Sequence, residues 1–212
     1  MKIIKNTNRL IIVFLLFSFL IISCNNRKIY IMTFNGANNK LLKNYILYKK
    51  YHCKLTEGAN YIVLDTINEE MLIEIMEMLH LKIDIIRNNI ANVNSTRTFN
   101  GGSFTRQYLD VTAENGMEIT EDTATKKRMV WDPTHPDAIR TGELTGYVET
   151  PNVDIMLEYY DLYPTVQLYN SMVDYIKNNY TNIIIDKITI LSLEEMSHNL
   201  TIENIMEIQL KK

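Results

Sequence analysis

The chain has 212 residues, enough to bury a sizeable core in one domain with appendages. Its 46% apolar and 22% charged residues fall in the range of folded proteins and exclude a low-complexity chain. A formal net charge of −3 gives no electrostatic footing for nucleic acid, and two cysteines are too few for a disulfide framework.

The N-terminus reads as a targeting segment. Lys2, Lys5 and Arg9 precede the apolar run Leu10 to Ile22, which Ser23-Cys24 closes. Such a run is short for a transmembrane helix and suits the apolar region of a signal peptide. Ile21-Ile22-Ser23-Cys24 resembles the bacterial lipobox, whose cysteine is lipidated and becomes the first residue. Residues 1–23 are therefore expected to be a lipoprotein-type signal peptide and Cys24 a lipidation site. Two or more acyl chains, at about 0.8 kcal/mol per buried CH2, would hold the chain on a membrane. Cys53 is then left alone, and His52 beside it has no neighbouring cluster of Cys or His with which to bind a metal.

Residues 24–68 read as a polar tether carrying a small appended structure. Lys28 to Phe34 suggests a strand, Lys40 to Tyr51 a helix and Tyr61 to Leu64 a second strand, with Gly36 and Gly58 as turns. No function is assigned to them.

The pattern sharpens over 69–98. Leu72, Met76, Leu79, Ile83, Ile86, Ile90 and Val93 alternate spacings of four and three, the a/d seam of a coiled coil. In that register Asn89 and Asn94 flank the seam, placed to hydrogen-bond to a partner helix. The Asn-rich stretch Asn88 to Thr98 is a poor helix interior, because Asn side chains compete for backbone hydrogen bonds and favour caps and turns.

Residues 99–150 read as a small β-rich insert. Gly101-Gly102 supplies positive φ in a loop, and Phe104 to Thr112 alternates like a strand. Asn115-Gly116 marks a hairpin with Met117 to Thr120 returning, and Arg128 to Trp131 is a further strand. Pro133 and Pro136 make Asp132 to Ala138 a rigid loop. Its Asp132, His135 and Asp137 have neither a helix to align them nor a second ligand cluster, which argues against metal binding or acid–base work. Tyr147 to Thr150 completes the insert.

A second helix is expected over 151–178, with Asn152 or Asp154 as its N-cap. Ile155, Tyr159, Leu162, Val166, Tyr169, Val173 and Ile176 form a second seam. Pro164 lies inside it and predicts a bend near Leu162. Residues 179–212 form a C-terminal extension, in which Ile183 to Leu193 reads as β and the segment to Leu210 as a short amphipathic stretch.

These residues resemble the axial proteins of the bacterial flagellum, and among them the proximal basal-body rod protein lettered C. The stretch Asn88-Asn89-Ile90-Ala91-Asn92-Val93-Asn94-Ser95-Thr96-Arg97-Thr98 is similar to the family's N-terminal signature. Gly101-Gly102, Asp132 to Ala138, Gly146-Tyr147-Val148 and Pro151-Asn152-Val153-Asp154 follow in order, and Tyr169-Asn170 matches near the end. The resemblance runs from about Met71 to Lys177. The chain departs from the family in its long N-terminal extension with a lipobox, in Pro164, and in its C-terminal tail.

The fold expected is α+β, with long N- and C-terminal heptad helices pairing as a coiled coil around a small β-rich insert. The assembly interface expected is Leu79, Ile83, Ile86, Asn89, Ile90, Val93, Asn94, Ile155, Tyr159, Leu162, Val166, Tyr169, Val173 and Ile176. The resemblance implies a structural rod subunit that packs with other rod and basal-body proteins and with copies of itself. That places it in the flagellar basal body, on the periplasmic side. The lipobox keeps a second reading open, a membrane-tethered relative using the same module as a periplasmic scaffold or binding element. No phosphate loop, nucleophile elbow or metal cluster is readable, so neither enzymatic activity nor a cofactor is expected.

Overall fold

A computed structural model describes residues 29–32, 36–58, 61–65 and 67–179. The segment read as a signal peptide, Cys24, and the strand and amphipathic stretch read after Asn179 lie outside the described residues. The architecture is mixed α+β, three helices with small antiparallel sheets. The elements are β1 (Ile29–Met32), α1 (Gly36–Lys49), β2 (Leu55–Glu57), β3 (Tyr61–Leu64), α2 (Glu69–Ala91), β4 (Gln107–Thr112), β5 (Gly116–Glu121), β6 (Arg128–Trp131), β7 (Tyr147–Thr150) and α3 (Ile155–Asn179).

The contacts divide the chain into two units. The first holds β1–α1–β2–β3, α2 up to Leu81, residues 110–118 of the β4–β5 hairpin, and α3 from Pro164 onward. Strand β3 lies at the centre of the sheet, with β1 and β2 antiparallel on either side, Leu64 opposing both Ile29 and Leu55. Its run Ile62-Val63-Leu64 is buried throughout, as befits a strand covered on both faces. Helix α1 buries Asn38, Asn39, Leu41, Leu42, Tyr45 and Ile46, a stripe at helical spacing. It touches α3 where Thr165 Oγ1 donates to Asn38 Oδ1 (3.2 Å), and the hairpin where Asn44 Nδ2 donates to the Val111 carbonyl (2.7 Å). It reaches α2 through Lys49 Nζ on Glu74 (2.7 Å), with the hydroxyl of Tyr51 donating to the same carboxylate. Strands β1, β2 and β3 and helix α1 thus form a layer of this unit.

The second unit holds α2 from Lys82, the following loop, the base of the hairpin, β6–β7, and α3 up to Tyr163. Strands β6 and β7 pair antiparallel, with Trp131 opposite Tyr147. Gly146 carries φ +89°, and a Cβ there would come within 2.4 Å of the Trp131 ring. Trp131 stands edge-on to Tyr147 at 5.1 Å between centroids. Gly146→Ala therefore combines left-handed strain with a ring clash. The expected result is a loss of about 1–3 kcal/mol, with a shifted Trp fluorescence maximum, read by thermal and urea denaturation.

Helix α2 begins where Asn68 Oδ1 accepts the Met71 backbone N–H at 2.8 Å, an N-cap. Of the expected seam, Leu72, Met76, Leu79, Ile83 and Ile86 are at most 3% exposed, while Ile90 and Val93 are half-buried. A second ladder beside it, Met71, Ile75, Met78, Lys82, Ile85 and Asn89, is also buried. This is the wide stripe of a core helix, broader than the two positions per heptad of an isolated coiled-coil seam. Helix α3 is capped by Asp154, whose Oδ1 accepts from the N–H groups of Met156 (3.0 Å) and Leu157 (3.2 Å). Asn152, the other N-cap candidate, has a different task, described below. Pro164 lies inside α3, which continues across it. The proline frees the carbonyl of Tyr160, a residue 77% exposed, so water can take up the lost bond.

Candidate functional site

The Asn-rich stretch ends α2 with local hydrogen bonds. Asn92 Nδ2 donates to the Asn88 carbonyl (2.9 Å), Ser95 Oγ to Asn92 Oδ1 (3.0 Å), and the Phe104 N–H to the Ser95 carbonyl (2.9 Å). Gly101 and Gly102 take positive φ, 82° and 70°, as their loop requires. Thr96 and Arg97 fasten the stretch to the proline loop through the two carboxylate oxygens of Asp137, at 2.8 and 2.7 Å. Phe99, at the turn, is fully exposed.

Asn89 is 0% exposed and clamps the start of β4. Its Nδ2 donates to the Gln107 carbonyl (2.7 Å), and its Oδ1 accepts the Gln107 N–H (2.9 Å). The same Nδ2 donates to Glu158 Oε2 on α3 of the same chain at 3.1 Å. Glu158 is 0% exposed and receives Arg106 Nε at 2.5 Å. Asn152 Oδ1 accepts the Arg106 N–H (2.7 Å), while its Nδ2 donates to the carbonyls of Asp122 and Thr125. Lys82 pairs with Asp161 at 2.7 Å, and burial pushes the lysine below its ordinary pKa against the raising effect of Asp161. A buried charged group is tolerable only when paired and bonded in this way.

The sequence did not single out Glu158, Arg106 or Lys82 as a group. Only the fold brings them near one another, and the one local sign is a carboxylate one position from the seam residue Tyr159. Asp132 and His135 are spent on their own loop. Asp132 Oδ1 accepts from Thr134 Oγ1 (2.7 Å) and from the N–H groups of Thr134 and His135, and His135 Nδ1 accepts the Asp137 N–H (3.0 Å). Among the described residues no group of three or more His, Cys, Asp or Glu could hold a metal ion. Nor is any helix there long and apolar enough to cross a membrane.

Two carboxylates near the loops set an acid response. The Ser103 hydroxyl at 2.7 Å holds Glu149 below its ordinary 4.5, and the Thr125 backbone and hydroxyl hold Asp122 below its ordinary 3.8. A depressed carboxylate contributes fully above its unfolded pKa and loses that contribution as pH falls through the folded one. The thermal midpoint should therefore hold from neutral pH down to 4.5 and decline below it. In Glu149→Gln the decline should be shallower, measured by thermal denaturation across pH.

The expected interface residues fall into two groups. In the first unit Leu79, Val166, Tyr169, Val173 and Ile176 are all buried, and Tyr169 lies 5.8 Å from the His80 ring. In the second unit Ile83, Ile86, Asn89 and Leu162 are buried, Ile90, Val93, Ile155 and Tyr159 are half-buried, and Asn94 is exposed. Beside them, at the start of α3, Met156 (58%), Leu157 (65%) and Tyr160 (77%) form an apolar row facing solvent. Neither the seam rule nor the capping rule pointed to that row.

No protein-family model matches the chain. It is 34% identical over 113 residues to the flagellar basal-body rod protein FlgC of Borreliella burgdorferi, a match that covers 74% of that protein and 43% of this chain. More than half of the chain thus lies outside the match. Identity at this level across nearly three-quarters of the relative, together with the ordered motifs from the Asn-rich stretch to Tyr169, shows that the chain belongs to the FlgC-like family of flagellar basal-body rod proteins.

Proposed function

We propose that the chain is a structural subunit of the flagellar basal-body rod, needed for flagellum-dependent motility. The match to a rod protein carries this reading. It is supported by a second unit whose polar side chains serve packing and by solvent-facing Met156, Leu157 and Tyr160 at the start of α3. A helix presenting an apolar row at spacings of one and four residues suits burial against another helix. The proposed partners are other rod and basal-body proteins and further copies of the chain. Heterologous contacts between copies that do not close into a ring build a filament or tube. In this reading α2 and α3 meet neighbours through coiled-coil-like packing around Ile90, Ile155 and Tyr159, Val93 and Asn94 join the interface from the turn that ends α2, and the rod lies on the periplasmic side.

The decisive experiment is deletion with basal-body purification. Loss of the gene should abolish motility, and the protein should co-purify with hook–basal bodies. Normal swimming in the deletion strain, with the protein absent from those particles, would overturn the rod assignment. The sequence Ile21-Ile22-Ser23-Cys24 favours a second reading, a lipoprotein acylated at Cys24 that uses the rod module as a periplasmic scaffold. Mass analysis of the mature N-terminus distinguishes the two, since an acylated Cys24 on a protein missing from basal bodies fits only the scaffold.

A further inference from the structure

The loop after α2 presents one aromatic ring wholly to solvent. Phe99 is fully exposed, although the backbone that carries it is closely held. The Phe104 N–H closes the base of the loop on the Ser95 carbonyl (2.9 Å), and the Thr98 N–H meets the Gly102 carbonyl (2.8 Å). Thr98 Oγ1 donates to the Gly101 carbonyl at 2.9 Å. On one side Thr96 and Arg97 tie the loop to Asp137, and on the other Ser103 ties it to Glu149. A large apolar side chain on a fixed turn is pre-organised, so burying it in a partner orders little that is not already ordered.

The same unit offers a surface of the kind such a ring requires. Met156 and Leu157 stand exposed at the start of α3, with the exposed Tyr160 one turn above them. The charges beside the two features are opposite. Arg97, two residues before Phe99, spends one nitrogen on Asp137 and keeps most of its side chain in solvent. Asp154, two residues before Met156, caps α3 through Oδ1, and its Oδ2 has no hydrogen-bond partner among the described residues.

We propose that the row of Met156, Leu157 and Tyr160 receives the end of α2 of a second copy of this chain, with Phe99 as the anchor and Arg97 against Asp154. The occupant is a second copy because ring and row match in apolar character and in neighbouring charge, and one chain carries both without joining them. The two surfaces differ, so the contact is heterologous. Each copy gives a ring and receives one, and the assembly stays open at both ends. The contact is small and weak when single, and it gains strength by repetition along the assembly. This inference rests on the rod reading, in which copies of the chain pack together.

The test uses the full chain with Cys24→Ser and Cys53→Ser, which removes acylation and disulfides as causes of association. Sedimentation velocity across a range of concentrations compares this parent with Phe99→Ala, Leu157→Ala and the double variant. Both side chains are exposed, so the thermal midpoint should stay at the parental value in all four chains. The parent should self-associate, and each single variant should do so at least about tenfold more weakly. The double variant should associate about as weakly as the weaker single, because either change empties the same contact. Losses that multiply in the double variant would place ring and row in different contacts and overturn the pairing. Parental association in either single variant, or a parent that stays monomeric, would overturn it equally. Motility and co-purification with basal bodies probe the rod reading without reference to Phe99, so the two can fail separately.

Discussion

Glu158→Ala should cost about 3 kcal/mol of stability, a large part of the roughly 5–15 kcal/mol that holds a domain folded. The carboxylate is 0% exposed, takes Arg106 Nε at 2.5 Å and faces Asn89 Nδ2 at 3.1 Å. Removing it strands a guanidinium in a site built for a pair, which is the costly way to break a buried ion pair. The loss lies at the low end of the usual range because the Arg106 side chain is 26% exposed and has Asp122 at 4.0 Å. Removing both charges in Glu158→Leu with Arg106→Met should recover most of the loss, since well-packed apolar replacements of buried pairs are often near neutral. A double-mutant cycle read by urea denaturation measures the coupling, expected at about 2 kcal/mol or more. Equal losses in the single and double variants would mean that the centre holds by packing alone.

That centre marks the boundary of what the sequence could reveal. Local patterns located β3, β6 and β7 at the residues expected and started α2 at Glu69, because each is a short apolar or alternating run with clear punctuation. The left-handed glycines at 101 and 102 followed from the loop they had to make. Strand β2, three residues with little burial, has no periodic signal to read. The spacing rule found the seam yet missed the ladder beside it, because Lys82 and Asn89 interrupt that ladder with polar residues. They are buried only because Asp161, Gln107 and Glu158 meet them from elsewhere in the chain. Asn152 looked like a helix cap and Glu158 is an acidic residue of the first turn of α3, and neither local setting shows the buried role. Their partners lie 27 to 69 residues away in sequence, beyond the reach of any local rule.

The second large effect concerns how the assembly surface is tested, and here burial changes the experiment. Ile86 is a seam residue, so a charge at that position is the natural probe of helix pairing. In this fold Ile86 is 3% exposed within its own unit. Ile86→Asp should therefore destabilise the free subunit by on the order of 4 kcal/mol or more, since an unpaired carboxylate would be forced into an apolar site. Lost assembly in that variant would report unfolding, whichever surface the subunit uses. Leu157→Asp supplies the clean comparison. Leu157 is 65% exposed in the first turn of α3, where a carboxylate also favours the positive end of the helix. Its folding stability should stay within about 0.5 kcal/mol of the parent, while incorporation into basal bodies and swimming both fail. Tyr160→Asp, on the same row and 77% exposed, should behave alike. Normal swimming in both exposed variants would remove the start of α3 from the assembly surface and return attention to the half-buried Ile90 and Val93. A stable, monomeric Ile86→Asp protein would show that the helices tolerate a charge where the core is tightest, and the burial argument would fall with it.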